Sequence, residues 1–89
     1  MFIHLGGDVV VIKKEVITIL NQQLIRKNET NREFMRTAES EGFITRIGEK
    51  DNVNSVIVTT KKVYLSPISS MTLKKRSDEL FSNLDSFNS

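Results

Sequence analysis

The chain has 89 residues, which is enough for one domain with a modest hydrophobic core. It contains no cysteine, and this excludes disulfide scaffolds, thiolate metal sites and cysteine nucleophiles. Its longest unbroken apolar run, Val9–Ile12, is far shorter than the roughly 20 residues of a membrane-spanning helix. We therefore expect a single domain over residues 1–89, without a membrane segment and located in the cytoplasm.

Positive charge is concentrated in one part of the sequence. Residues 1–51 hold equal numbers of basic and acidic side chains, whereas residues 52–77 carry five basic side chains and no acidic one. Residues 78–89 carry three acidic side chains and no basic one, so the net charge of +2 hides this segregation. Segregated basic charge suits a polyanionic partner such as DNA, and an unevenly charged solvated surface is the alternative interpretation.

The first part of the chain is predicted to form three strands. Phe2–Leu5 and the β-branched run Val9–Ile12 predict a hairpin, because the glycines of Gly6-Gly7-Asp8 can adopt positive φ between them. Val16–Leu20 resumes strand character. Lys13-Lys14-Glu15 interrupts the apolar pattern, and it fits either a bulge or an exposed stretch of one long strand.

A helix is predicted from residue 28 to residue 42. Thr30 lies three residues before a glutamate, which is the spacing of a capping box at a helix start. Gly42 suits the left-handed position directly after a helix. The polar stretch Asn21–Gln23 ends the preceding strand, and no element is predicted for residues 24–27.

Three further strands and a second helix are predicted in the second half. The strands are Phe43–Ile47, Ser55–Thr60 and Val63–Leu65. Ser69 or Ser70 can cap a helix of roughly 12 residues after Pro67. Its apolar residues share one face: Leu73, Leu80, Leu84 and Phe87. This order indicates an α+β fold with a mainly antiparallel sheet of five to six strands, one central helix and one C-terminal helix.

Signals for catalysis are weak. His4 is the only histidine, and it lies between apolar residues of a predicted strand, so we expect a structural or interface histidine. Ser66, Ser69 and Ser70 lack a base partner. They are either helix-entry residues or, beside the following lysines, hydroxyls that bind phosphate. No catalytic residue, metal site, cofactor or small-molecule substrate is predicted, and the chain is not expected to be an enzyme.

The candidate binding residues are basic. Paired lysines at strand breaks can also protect a sheet edge from aggregation, so each pair alone is weak evidence for DNA binding. Together with the basic triplet before the acidic end, they form a candidate set of phosphate-contacting residues. The predicted DNA-binding residues are Lys13, Lys14, Lys50, Lys61, Lys62, Lys74, Lys75 and Arg76.

Four stretches of the sequence resemble a known family. They are Ile3–Gly6, the apolar strands of Val9–Leu20, Ser55–Thr59 and, most specifically, Tyr64-Leu65-Ser66-Pro67-Ile68-Ser69-Ser70-Met71-Thr72-Leu73-Lys74-Lys75-Arg76. They are similar to the extracellular matrix regulatory protein family (RemA/RemB), with more likeness to the RemB branch. The resemblance implies a LytTR-like fold and a closed ring of subunits. It further implies a DNA-binding regulator of bacterial biofilm matrix genes, with DNA bent around the ring.

The sequence departs from the RemA branch at that branch's DNA-contacting arginines. Glu15 stands where one arginine is expected, and Asp51-Asn52-Val53-Asn54 stands where an arginine cluster is expected. DNA binding in this chain would then rely on the lysines, mainly the C-terminal ones. The expected partners are double-stranded DNA and further copies of the chain, and the alternative is an oligomeric protein-interaction scaffold that does not bind DNA.

Overall fold

A computed structural model describes residues 2–49 and 51–77. The described part contains six strands, a 3₁₀ turn and three α-helical segments. In chain order they are β1 (Phe2–Gly6), β2 (Val9–Ile12), the 3₁₀ turn (Lys13–Glu15), β3 (Val16–Asn21), α1 (Gln22–Lys27), α2 (Glu29–Ser40), β4 (Ile44–Arg46), β5 (Ser55–Thr59), β6 (Val63–Ser66) and α3 (70–77). Within these residues, no helix is long and apolar enough to cross a bilayer.

The strands form two sheets. β1 and β2 pair as an antiparallel hairpin, and the other four strands are ordered β3-β5-β6-β4. β5 pairs antiparallel with β3 and β6, whereas β4 lies parallel to β6 at one edge. The predicted α+β class and the mainly antiparallel pairing are confirmed, with the six strands divided between two sheets.

The four-stranded sheet is covered on both faces. On one face, the buried residues of the hairpin and α3 pack against β3 and β5. On the other face, Ile25 of α1 and Ala38 of α2 pack against β5 and β6. Alternate residues of β5 therefore serve different cores, since Ile57 belongs to the first cluster and Val56 to the second. The continuous apolar sequence of this strand results from its burial on both faces.

The structure decides between the two interpretations of Lys13-Lys14-Glu15, the segment between β2 and β3. Lys13–Glu15 is neither a bulge nor part of one long strand, because it forms a single 3₁₀ turn between extended residues. The chain leaves the hairpin here and enters the larger sheet. A true bulge follows immediately, where Val16 pairs with Thr59 but Thr18 pairs with Val58, so Ile17 is the extra residue.

Two details of the central helices differ from the prediction. α1 was not predicted; it begins after Asn21, whose side chain accepts a hydrogen bond from the backbone N–H of Gln23 at 2.8 Å. The prediction that Thr30 caps the central helix is wrong. The cap is Asn28, whose side chain accepts from the backbone N–H of Asn31 at 3.1 Å, and Thr30 lies inside the first turn of α2.

The predicted role of Gly42 is confirmed. Its φ of 77° lies in the left-handed region. Its N–H donates to the carbonyl of Glu39 at 3.1 Å, and the N–H of Phe43 donates to the carbonyl of Ala38 at 2.9 Å. These two bonds form a Schellman motif, which ends α2 and directs the chain into β4.

Replacing Asn28 with alanine is expected to lower the free energy of unfolding by about 1 kcal/mol, because the N–H of Asn31 loses its acceptor. Urea denaturation followed by circular dichroism measures this change. Thr30→Ala is the matched control and should change stability by only a few tenths of a kcal/mol. A larger loss for Thr30→Ala than for Asn28→Ala would contradict the observed cap.

The C-terminal helix begins as predicted. The Ser69 hydroxyl accepts from the backbone N–H of Thr72 at 3.2 Å, so Ser69 is the cap, and Leu73 is fully buried in the core. The other apolar residues predicted for this helix lie outside the described residues: Leu80, Leu84 and Phe87.

Candidate nucleic-acid interface

The 3₁₀ turn brings two of the predicted basic segments together. The backbone N–H of Thr60 donates to the carbonyl of Glu15 at 3.0 Å, and the Lys61 ammonium lies 3.3 Å from the Glu15 carboxylate. The β5–β6 turn, with Lys61 and Lys62, therefore lies beside the turn that carries Lys13 and Lys14. Lys14, Lys61 and Lys62 are all exposed.

The third basic segment reaches the same end of the molecule through α3. The half-buried Lys13 donates from Nζ to the carbonyl of Ser77 at 2.9 Å, which ties the 3₁₀ turn to the last described turn of α3. Because Leu73 is buried on the inner side of α3, Lys74 and Lys75 are exposed on its outer side. These two lysines lie within one helical turn of Ser77.

Arg76 has a structural contact. Its guanidinium donates to the carbonyl of His4 at 3.0 Å, and the side chain is half-buried between α3 and the hairpin. This contact fixes the orientation of α3 relative to β1. Arg76 therefore contributes positive charge to the surface while it holds the helix that carries the more exposed Lys74 and Lys75.

Seven of the eight predicted residues thus lie around the 3₁₀ turn and the end of α3. We call this set the basic surface; it comprises Lys13, Lys14, Lys61, Lys62, Lys74, Lys75 and Arg76. Lys50 lies outside the described residues. The following connection, 51–54, is at the opposite end of the sheet, where the N–H of Asn54 donates to the carbonyl of Ser66 at 2.9 Å.

A second group of cations was missed by the sequence analysis. Three arginines line a cavity of about 460 Å³ between α1, α2 and β4: Arg26, Arg36 and Arg46. Carboxylates accompany them, because Arg36 lies 3.6 Å from Glu29 and Arg46 lies 3.9 Å from Glu39. This face has nearly balanced charge, whereas in the basic surface the carboxylate of Glu15 pairs with Lys61. Spacing in the sequence gave no signal, since α1 itself was not predicted.

The hydroxyls near the basic segment have structural roles. The buried Ser66 donates to the carbonyl of Leu5 and accepts from the N–H of Ile68, so it links the two sheets. Ser70 is buried, and Ser69 caps α3. These contacts favour the helix-entry interpretation over phosphate binding.

His4 is exposed on the outer face of the hairpin. Its Nε2 lies 2.7 Å from the carbonyl oxygen of Gly7, so the ring braces the hairpin turn. Across residues 2–49 and 51–77, no three His, Cys, Asp or Glu side chains are arranged to hold a metal ion. The exposed histidine position is compatible with the structural or interface role that the sequence predicts.

Two comparisons with known proteins identify the family. The family described as extracellular matrix regulatory protein A-like matches residues 2–76, which include the whole basic surface. Extracellular matrix regulatory protein B of Bacillus subtilis (strain 168) is 32% identical over 81 residues, which cover 91% of this chain and 95% of that protein. Both findings confirm the resemblance drawn from the sequence and indicate a regulatory protein. The chain belongs to the RemA-like family of extracellular matrix regulatory proteins.

Proposed function

We propose that this protein is a DNA-binding transcriptional regulator of bacterial extracellular matrix genes, which acts in the cytoplasm as a homo-oligomeric ring. The observation that carries the proposal is the basic surface. Three segments that are distant in sequence bring seven cations to one end of the domain, where Glu15 pairs with Lys61. Such a concentration of positive charge suits the phosphate backbone of double-stranded DNA.

The cations would have different roles in binding. Lys14, Lys62, Lys74 and Lys75 are exposed, and their flexible ammonium groups can contact phosphates. Contacts of this kind hold a duplex without reading its bases, and they suit a protein that bends DNA. The Lys61 charge is partly compensated by Glu15, which stands where the RemA branch has an arginine. The phosphate contacts proposed here therefore differ from those of that branch.

DNA affinity should fall steeply with salt if phosphate contacts dominate. Fluorescence anisotropy of a labelled duplex, measured at a series of KCl concentrations, should give a log–log slope of about −0.9 for each phosphate contact. A promoter duplex and a duplex of random sequence should give similar slopes, because the salt dependence comes from phosphates. Absence of binding at low salt would refute the DNA-binding proposal.

Oligomerisation would increase the affinity for DNA, because the basic surface of a single subunit binds DNA weakly. A ring repeats the basic surface, so that once one subunit is bound the next binds DNA at a high effective concentration. The described residues also expose more large apolar side chains than one domain needs for its own core. These are Phe2, Val10, Ile17, Leu24, Phe34, Phe43 and Met71. Of these, Phe2, Val10 and Leu24 are available for contacts between subunits.

The oligomer has a direct test. Light scattering coupled to size-exclusion chromatography at micromolar concentration should give a mass several times that of the 10.2 kDa chain. The mass should hardly change at high salt, because apolar contacts between subunits are not screened as charges are. A monomer under these conditions would refute the ring.

A second candidate function is an oligomeric scaffold that binds another protein. It is favoured by the internal use of three cations, since Lys13, Lys61 and Arg76 all contact groups of their own chain. An oligomer that forms in the mass measurement but leaves DNA unbound at low salt would favour the scaffold. A steep salt dependence of DNA binding would favour the regulator.

A further inference from the structure

A shallow apolar groove lies beside the basic surface, on the face of the sheet that α2 covers only partly. Its volume is about 400 Å³, and its lining includes Val58 of β5 and Ala38 of α2. Three large apolar side chains in it remain exposed, with Ile17 at 65%, Phe34 at 45% and Phe43 at 51%. We call the surface formed by Ile17, Phe34, Ala38, Phe43 and Val58 the apolar groove.

Local backbone features build the groove. The bulge between Val16 and Thr18 makes Ile17 the extra residue of β3. The Schellman motif after α2 places Phe43 against the end of that helix. Both features fix exposed apolar side chains at defined positions, which is the arrangement expected for a surface that another segment covers.

One rim of the groove is basic. Lys61 and Lys62 line it from the β5–β6 turn. The hydroxyl of Thr59 holds that turn, since it donates to the carbonyl of Lys62 at 2.7 Å and accepts from the N–H groups of Lys61 and Lys62. The lining also includes Glu41, at the end of α2. An occupant of the groove should therefore be apolar along its length and acidic on the side that meets the two lysines.

The end of this chain has that chemistry. Residues 78–89 carry three acidic side chains and no basic one. Their apolar side chains are Leu80, Phe81, Leu84 and Phe87. The spacing of Leu80, Leu84 and Phe87 is four and three residues, so a helix would place all three on one side. Aromatic and leucine side chains at this spacing suit an apolar groove.

The segment also starts near the groove. It follows Ser77, whose carbonyl accepts a hydrogen bond from Lys13. Lys13 belongs to the 3₁₀ turn. In the same turn, the Glu15 carboxylate lies 3.3 Å from the ammonium of Lys61 on the groove rim. Ser77 and the groove rim are thus both in contact with the 3₁₀ turn, and a helix of 12 residues would be about 18 Å long.

We propose that residues 78–89 dock in the apolar groove of their own chain. The apolar side chains cover Ile17, Phe34 and Phe43, and the acidic side chains meet Lys61 and Lys62. Covalent attachment favours this site, because it gives the segment a high effective concentration at the nearest matching surface.

Docking would also regulate the basic surface. An acidic segment at Lys61 and Lys62 competes with phosphates for two of its cations, so docking and DNA binding oppose each other. This consequence rests on the proposed function, whereas the docking itself does not. The two are therefore tested by separate measurements.

The absence of cysteine allows a direct test in the full chain. Asn88→Cys provides one position for a nitroxide spin label, and the amide signals of ¹⁵N-labelled protein report which residues lie near it. The amides of Ile17, Phe34 and Phe43 should lose most of their intensity without DNA. Asp8→Cys, in the hairpin turn, is the matched label position and should leave the groove amides unchanged. Unchanged groove amides with the label at residue 88 would refute the proposal.

Two further samples identify the occupant. In the first, chains that carry the spin label but no ¹⁵N are mixed with ¹⁵N-labelled chains that carry no spin label. This mixture reports only contacts between copies. Loss of the groove signals in that mixture would overturn docking in the same chain. Ile17→Asp should abolish the effect in the full chain, whereas Met71→Asp, which changes an apolar side chain that is 80% exposed on α3, should retain it. If both variants abolished the effect of the spin label, the result would also contradict docking in the groove.

The regulatory consequence has its own variant. Neutralising the three acids with Asp78→Asn, Glu79→Gln and Asp85→Asn should raise DNA affinity several-fold at low salt. This gain should exceed the gain from neutralising three acidic side chains elsewhere on the chain. Asp8→Asn, Glu33→Gln and Glu49→Gln, three exposed acids outside the groove lining, are the charge-matched control. Equal gains for both sets would refute the competition. Groove signals that respond to the spin label in a protein that binds no DNA would support docking while refuting the proposed function.

Discussion

Replacing Leu73 with alanine is expected to lower the free energy of unfolding by about 2–5 kcal/mol. Leu73 is fully buried, and it belongs to a core cluster with Leu5 of the hairpin and Ile57 of the larger sheet. It is thus the side chain through which α3 joins both sheets. A domain of this size has a total stability of only about 5–15 kcal/mol, so the substitution removes a large fraction of it.

Urea denaturation followed by circular dichroism measures the loss, with the m-value showing whether unfolding remains a single transition. Met71→Ala is the matched control, because Met71 lies in the same helix and is 80% exposed. It should change stability by less than about 0.5 kcal/mol. Similar losses for Leu73→Ala and Met71→Ala would contradict the observed packing of α3.

The same substitution links the core to the proposed binding surface. Leu73 and Arg76 both hold α3 against the hairpin, and α3 carries Lys74 and Lys75. If α3 loosens without global unfolding, these two lysines lose their fixed position relative to Lys14 and Lys62. DNA binding should then weaken although no cation has been removed.

The strands were predictable because their signals are local. β-branched runs, the glycines of the first turn and the glycine after α2 each determine the structure of their own segment. α1 was missed because it has only six residues, of which Ile25 is the one buried side chain. A single buried contact produces no periodic pattern in the sequence.

The arrangement of the strands depends on contacts between distant residues, and the sequence carries little information about these. β4 pairs in parallel with β6 because the end of α2 delivers the chain to that edge of the sheet. The separation of the hairpin from the larger sheet depends on the 3₁₀ turn, whose residues are also compatible with an exposed strand. Neither feature follows from apolar periodicity.

The candidate site was predictable in composition but not in geometry. The basic segments were evident from the charge distribution, and the structure places three of them together. The contact between Glu15 and Lys61 joins residues 46 positions apart, and no local sequence pattern predicts it. The same is true of the three arginines around the cavity between α1, α2 and β4, which come from three different elements.

Lys74→Ala combined with Lys75→Ala is expected to reduce the salt dependence of DNA binding. Both side chains are exposed on α3, and no carboxylate of the described residues forms an ion pair with either. Each phosphate contact contributes about 0.9 to the log–log slope, so the double variant should make the slope less steep by about 1.8 for each subunit on the DNA. Stability should hardly change, since neither side chain is buried.

Arg26→Ala combined with Lys27→Ala is the matched control, because it removes two adjacent exposed cations from α1 on the other face of the sheet. Fluorescence anisotropy over the same salt series should give this variant nearly the slope of the unmodified protein. The two variants have the same net charge, so long-range attraction to DNA falls equally in both. A difference in slope between them therefore reports direct phosphate contacts. A reduced slope for the α1 variant alone would place the DNA on the arginine-lined face instead of the basic surface.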